Sequence, residues 1–66
     1  MYTLELVGYQ NFKRINCKTI EQARQEFARA KSETYKAQSF GDQDATHSWS
    51  TWELYHNEQM IKEGKF

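Results

Sequence analysis

Hydrophobic and polar positions alternate at both ends of the chain and switch to a helical period in the middle. From Tyr2 to Tyr9, Tyr2, Leu4 and Leu6 fall on one side while Thr3, Glu5 and Val7 fall on the other. A period of two predicts a half-buried strand. Gly8 to Asn11 is rich in turn formers and predicts a reversal. Phe12 to Lys18 then predicts a second strand, with Ile15 and Cys17 inward and Arg14, Asn16 and Lys18 outward. At Thr19 the period changes. Ile20, Ala23, Phe27, Ala30 and Thr34 recur at spacings of three and four, which places them on one face of a helix running to Lys36 or shortly beyond. Thr19 and Gln22 form a capping-box pair, in which the hydroxyl accepts from an early backbone N–H and the Gln side chain reaches back to the cap. Ala37 to Ser48 is polar, with Gly41 as the expected helix stop and Phe40 either plugging the core or displayed.

Alternation returns from Ser48 to His56. Ser50, Trp52, Leu54 and His56 share one face, and Trp49, Thr51, Glu53 and Tyr55 share the other. A slip of one residue would exchange Trp49 and Trp52 between core and surface. Asn57-Glu58 suits a two-residue turn because Asn tolerates positive φ, although Glu fits the second position less well than Gly and a slightly longer loop stays open. The two-residue turn pairs His56 with Gln59, Tyr55 with Met60, Leu54 with Ile61 and Glu53 with Lys62. Leu54–Ile61 is then a buried pair, and Glu53–Lys62 an opposite-charge pair on the exposed face. Gly64 weakens the end of the last strand.

The expected architecture is α+β: one domain over residues 1–66, with elements in the order ββαββ. One helix packs on one face of a single four-stranded antiparallel sheet. A strand order of 2-1-3-4 keeps every neighbour antiparallel and carries the helix across the first strand. The expected core is Leu4, Leu6, Ile15, Cys17, Ile20, Ala23, Phe27, Ala30, Trp52, Leu54 and Ile61. In a chain of 66 residues such a core supplies only about 3–5 kcal/mol.

Composition narrows the chemistry. One cysteine excludes an intramolecular disulfide and a four-cysteine zinc site, and a lone thiol fits a reducing, cytoplasmic setting. The N-terminal residues lack the charged and apolar regions of a signal peptide, and no apolar run is long enough to span a bilayer. Nine basic and nine acidic residues leave no net charge, so the broad positive field of a non-specific nucleic-acid binder is missing. The charges are segregated, however. Residues 11–36 hold seven Lys or Arg against three Glu, and residues 37–66 hold two Lys against five acidic residues.

No phosphate loop, nucleophile elbow or paired-His metal motif is present, which argues against an enzyme. Cys17 beside Ile15 reads as a core residue, because neither His47 nor His56 is near it in sequence. Asp42, Asp44 and His47 lack the calcium-loop spacing and read as a solvated loop. No cofactor is implied. Aromatics make up 15% of the residues, more than one helix stripe can bury, so some are displayed. On the sheet face away from the helix, Val7, Trp49, Tyr55 and Met60 form a candidate apolar-aromatic patch. The basic segment adds Arg14, Arg24, Arg29 and Lys31 as candidate partner contacts. The expected activity is protein binding by a small module. A nucleic-acid-binding module using the aromatic face and basic helix is the alternative. An open sheet edge also allows a homodimer.

The layout resembles the very small proteins with which bacteriophages and other mobile elements inhibit host machinery, anti-CRISPR proteins and phage inhibitors of host RNA polymerase among them. Several of these are single sheets with one helix, and some enter the helix through a Thr- or Ser-led cap, as Thr19-Ile20-Glu21-Gln22-Ala23 does here. The resemblance implies a compact cytoplasmic protein that occludes a larger host protein or nucleoprotein complex without chemistry of its own.

Overall fold

The computed structural model describes residues 1–9, 11–39 and 48–66. Two hairpins flank one helix: β1 (Tyr2–Val7), β2 (Phe12–Cys17), α1 (Ile20–Ser39), β3 (Thr51–His56) and β4 (Gln59–Lys65). The strands form one antiparallel sheet in the order β2-β1-β3-β4, the order expected from keeping every neighbour antiparallel. The discounted loop ligands Asp42, Asp44 and His47, together with Phe40 and Gly41, lie outside the described residues.

The cap starts the helix. The Gln22 N–H donates to Thr19 Oγ1 at 3.2 Å, and Gln22 Oε1 accepts from the Lys18 N–H at 2.7 Å, one residue earlier than the cap itself. Ala23, Ala30 and Thr34 then face the sheet and are buried. Small residues at Ala23 and Ala30 let the helix backbone approach Leu4 and Leu6, each 2% exposed. The helix lies over β1 and β2. It reaches the other half of the sheet through Phe27, whose ring meets Trp52 edge-on at 4.9 Å and stacks on Phe66 at 5.5 Å.

The tryptophans correct the expected core. Trp49 is 5% exposed and packs with Leu4, Leu6 and Ala30, whereas Trp52 is half-buried at its margin. Trp49 therefore leaves the exposed sheet face that the alternation assigns to it. The reason is local: β3 begins at Thr51, so Ser48–Ser50 are not bound by the strand's two-residue period. The Trp49 N–H donates to the buried Thr34 Oγ1 at 3.1 Å, which fixes the segment against the helix.

The second correction is the register of the last hairpin. Its turn has the predicted two residues, with positive φ at both Asn57 (51°) and Glu58 (70°), and His56–Gln59 and Tyr55–Met60 pair as expected. A bulge then intervenes. Leu54 faces Lys62, and Glu53 faces Glu63, so the expected Leu54–Ile61 and Glu53–Lys62 pairs do not form. Unbulged pairing would set the Glu63 carboxylate across from Trp52 on the helix side. With one extra residue, Gly64 sits across from Trp52 and Phe66 comes onto the core side. A Cβ at Gly64 would lie 2.9 Å from Trp52 Cζ2, so the indole occupies the space that a side chain would need. Ile61 is the residue displaced: it is 53% exposed and does not belong to the core.

Glu58 holds a left-handed conformation that L-residues adopt at a cost of roughly 1–2 kcal/mol. Glu58→Gly should therefore raise stability by about 1 kcal/mol. The change would appear as a higher denaturant midpoint at constant slope.

Candidate functional site

Because α1 lies over β1 and β2, the helix-side surface of β3 and β4 around Leu54, Ile61 and Lys62 is left open beside it by the described residues. The result is a cleft of about 350 Å³ between the first half of α1 and the last hairpin. Ile20, Ala23 and Phe27 form one wall, Leu54 and Ile61 the other, and Leu4 and Trp52 the floor. Arg24 and Lys62 also line it, one cation from each wall. The bulge builds this arrangement, since it brings the consecutive residues Ile61 and Lys62 to the same side of the sheet. Alternation alone does not reveal the cleft. The available signal was width: one helix is about 10 Å across, and four strands spaced about 4.8 Å apart are wider than it can cover.

The opposite face of the sheet holds three cross-strand rows. Phe12, Val7, Thr51 and Lys65 form one end; Arg14, Glu5, Glu53 and Glu63 the middle; Asn16, Thr3, Tyr55 and Met60 the other end. The proposed patch is therefore divided. Tyr55 and Met60 are direct partners, Val7 lies with the exposed Phe12 at the far end, and a charged row separates them. Trp49 is absent from this face. Arg14 reaches Glu5 at 3.6 Å, but Glu5–Glu53 and Glu53–Glu63 are like-charge neighbours, which disfavours the sheet.

The Tyr55 hydroxyl donates to Glu53 Oε2. That bond, followed by burial and the charges of Glu53 and Glu5, pushes the tyrosine up to about 12. The neutral phenol is the favoured form in the fold. Its contribution is complete below the ordinary tyrosine range and is lost as pH rises toward the shifted value. In a tyrosinate absorbance titration, a step should fall above the ordinary tyrosine range and be lost in Tyr55→Phe. Glu53→Gln should bring that step down toward the ordinary range.

The remaining predicted contacts disperse. Arg29 pairs with Glu26 at 3.7 Å along the helix. Lys31 is exposed on α1, and only Arg24 lines the cleft. Cys17 is buried, and burial followed by the Glu26 carboxylate raises its thiol, the reverse of what activates a nucleophile. Among the described residues, no three His, Cys, Asp or Glu side chains converge on a common point. No helix among them is long and apolar enough to cross a membrane. Comparison of the chain with protein-family models, with curated proteins and with solved structures returns no match.

Proposed function

We propose that the chain is a small non-enzymatic protein-binding module that docks its partner in the cleft between α1 and the β3–β4 hairpin. The observation that supports this reading most directly is Ile61. A branched aliphatic side chain stands more than half exposed beside Leu54 and Ile20, at a bulge that turns it toward the cleft. Contiguous apolar surface of this kind, rimmed by charge, is what protein interfaces bury. The acidic row and the divided aromatics make the opposite face a poorer docking surface. In the form implied by the resemblance to phage inhibitors, the partner is a larger host protein or nucleoprotein complex that the bound chain occludes.

The test is affinity capture from bacterial lysate with and without nuclease, using the wild-type chain and Ile61→Glu. A partner that survives nuclease and is lost with Ile61→Glu supports the reading. Retention by Ile61→Glu removes the cleft from it. Recovery of nucleic acid alone, weakened by salt and by Arg14→Ala or Arg29→Ala, would replace it with the nucleic-acid reading.

A further inference from the structure

We infer that the cleft takes an acidic amphipathic helix, which would lie beside α1 and complete the cover of the sheet. The inference rests on the protein-binding reading and specifies the chemistry of the partner. Three observations carry it.

The first is space. Strand axes spaced about 4.8 Å apart put β2 and β4 about 14 Å from each other. Helices packed on one sheet face lie about 8–10 Å apart. With α1 over β1 and β2, the part of the strip over β3 and β4 that Trp52 and Phe66 do not fill, at Leu54, Ile61 and Lys62, has the width of one further helix.

The second is the pattern of the walls. Ile20 and Phe27 on α1 and Leu54 and Ile61 on the hairpin offer apolar contact from the side and from below. A helix with an apolar stripe presents side chains in both directions, whereas an added strand would pair with the edge of β4. That edge is interrupted by the bulge at Ile61, which breaks the regular ladder a partner strand needs.

The third is charge. Arg24 stands on the helix wall and Lys62 on the hairpin wall, and among the described residues no carboxylate lines the cleft. A docked helix with Glu or Asp flanking its apolar stripe would meet a cation on either side. This pattern also disfavours a second copy of α1 as occupant, because its exposed surface carries Arg24, Arg29 and Lys31 against Glu21.

The test titrates the isotopically labelled full chain with two stapled 18-residue helices. Both carry Leu at i, i+3, i+4 and i+7; one has Glu and the other Lys along the flanks. The Glu helix is expected to shift the amides of Ile20, Arg24, Leu54, Ile61 and Lys62, and to bind about tenfold more tightly than the Lys helix. Charge reversal of the exposed pair, Arg24→Glu with Lys62→Glu, should invert the preference. Equal affinity for both helices, or preference for Lys, overturns the acidic assignment and leaves the cleft as a protein-binding site. Absence of cleft shifts with either helix overturns the docking reading as well.

Discussion

Trp49→Ala is expected to unfold the chain rather than to weaken partner binding. Truncating a buried tryptophan costs about 3–5 kcal/mol. A domain of 66 residues has only about 3–10 kcal/mol of stability in total, with the lower half usual for an unstapled core. Trp49 packs with Leu4, Leu6 and Ala30 and, through its backbone N–H, ties the segment before β3 to Thr34 of α1. Its removal opens a cavity where the helix, the central strand and the residues leading into β3 meet. Loss of amide dispersion in the NMR spectrum and of the cooperative denaturant transition are the expected readouts. A folded variant that has lost only its partner would mean that Trp49 is displayed after all.

Gly8→Ala is expected to cost about 3 kcal/mol. The new methyl would stand 1.9 Å from Asn11 Oδ1 and 2.6 Å from the Ser48 carbonyl oxygen. The side-chain clash can be relieved by rotation, but the carbonyl belongs to a backbone held in place nearby. Gly8 N–H donates to the Asn11 carbonyl at 2.8 Å, and Ser50 N–H donates to the Val7 carbonyl at 2.7 Å. The β1–β2 turn and the lead into β3 therefore lie too close for a Cβ. The expected readout is a lower denaturant midpoint, with the larger loss falling on Gly8→Val. Unchanged stability would mean that the two segments separate freely.

The architecture was legible because its signals are local. The alternation of Leu4 and Leu6, the helical spacing of Ala23, Phe27 and Ala30, and the Thr19–Gln22 cap each depend on neighbours within one turn or one strand. What escaped depends on contacts between distant segments. Trp49 obeys the alternation of β3 in sequence but precedes the strand, and only the acceptor at Thr34, fifteen residues earlier, shows where it goes. The bulge escaped for the same reason. Its benefit is placing Gly64 across from Trp52 and Phe66 against Phe27, which no count within β4 reveals. Among the candidate contacts, Val7, Tyr55 and Met60 lie on the far face as the alternation predicts and Arg14 points outward from β2, yet the separation of Val7 from Tyr55 and Met60 by the row of Arg14, Glu5, Glu53 and Glu63 follows from the register alone.

The cleft was the least legible feature, and its elements explain why. Ile61 and Leu54 both read as core positions, and they would be core beneath a wider cover. The exposure of Ile61 and the half-burial of Leu54 follow from the placement of α1 over β1 and β2, which small residues at Ala23 and Ala30 permit.

Hydrogen exchange of the chain within its captured complex tests the central claim most directly. Added protection at the amides of the first half of α1 and of Leu54 to Lys62, relative to the free chain, is the predicted result. Protection that leaves α1 unchanged and falls on the outer edge of β2, or on Thr3, Asn16, Tyr55 and Met60 at one end of the far face, would contradict it and move the docking site away from the cleft.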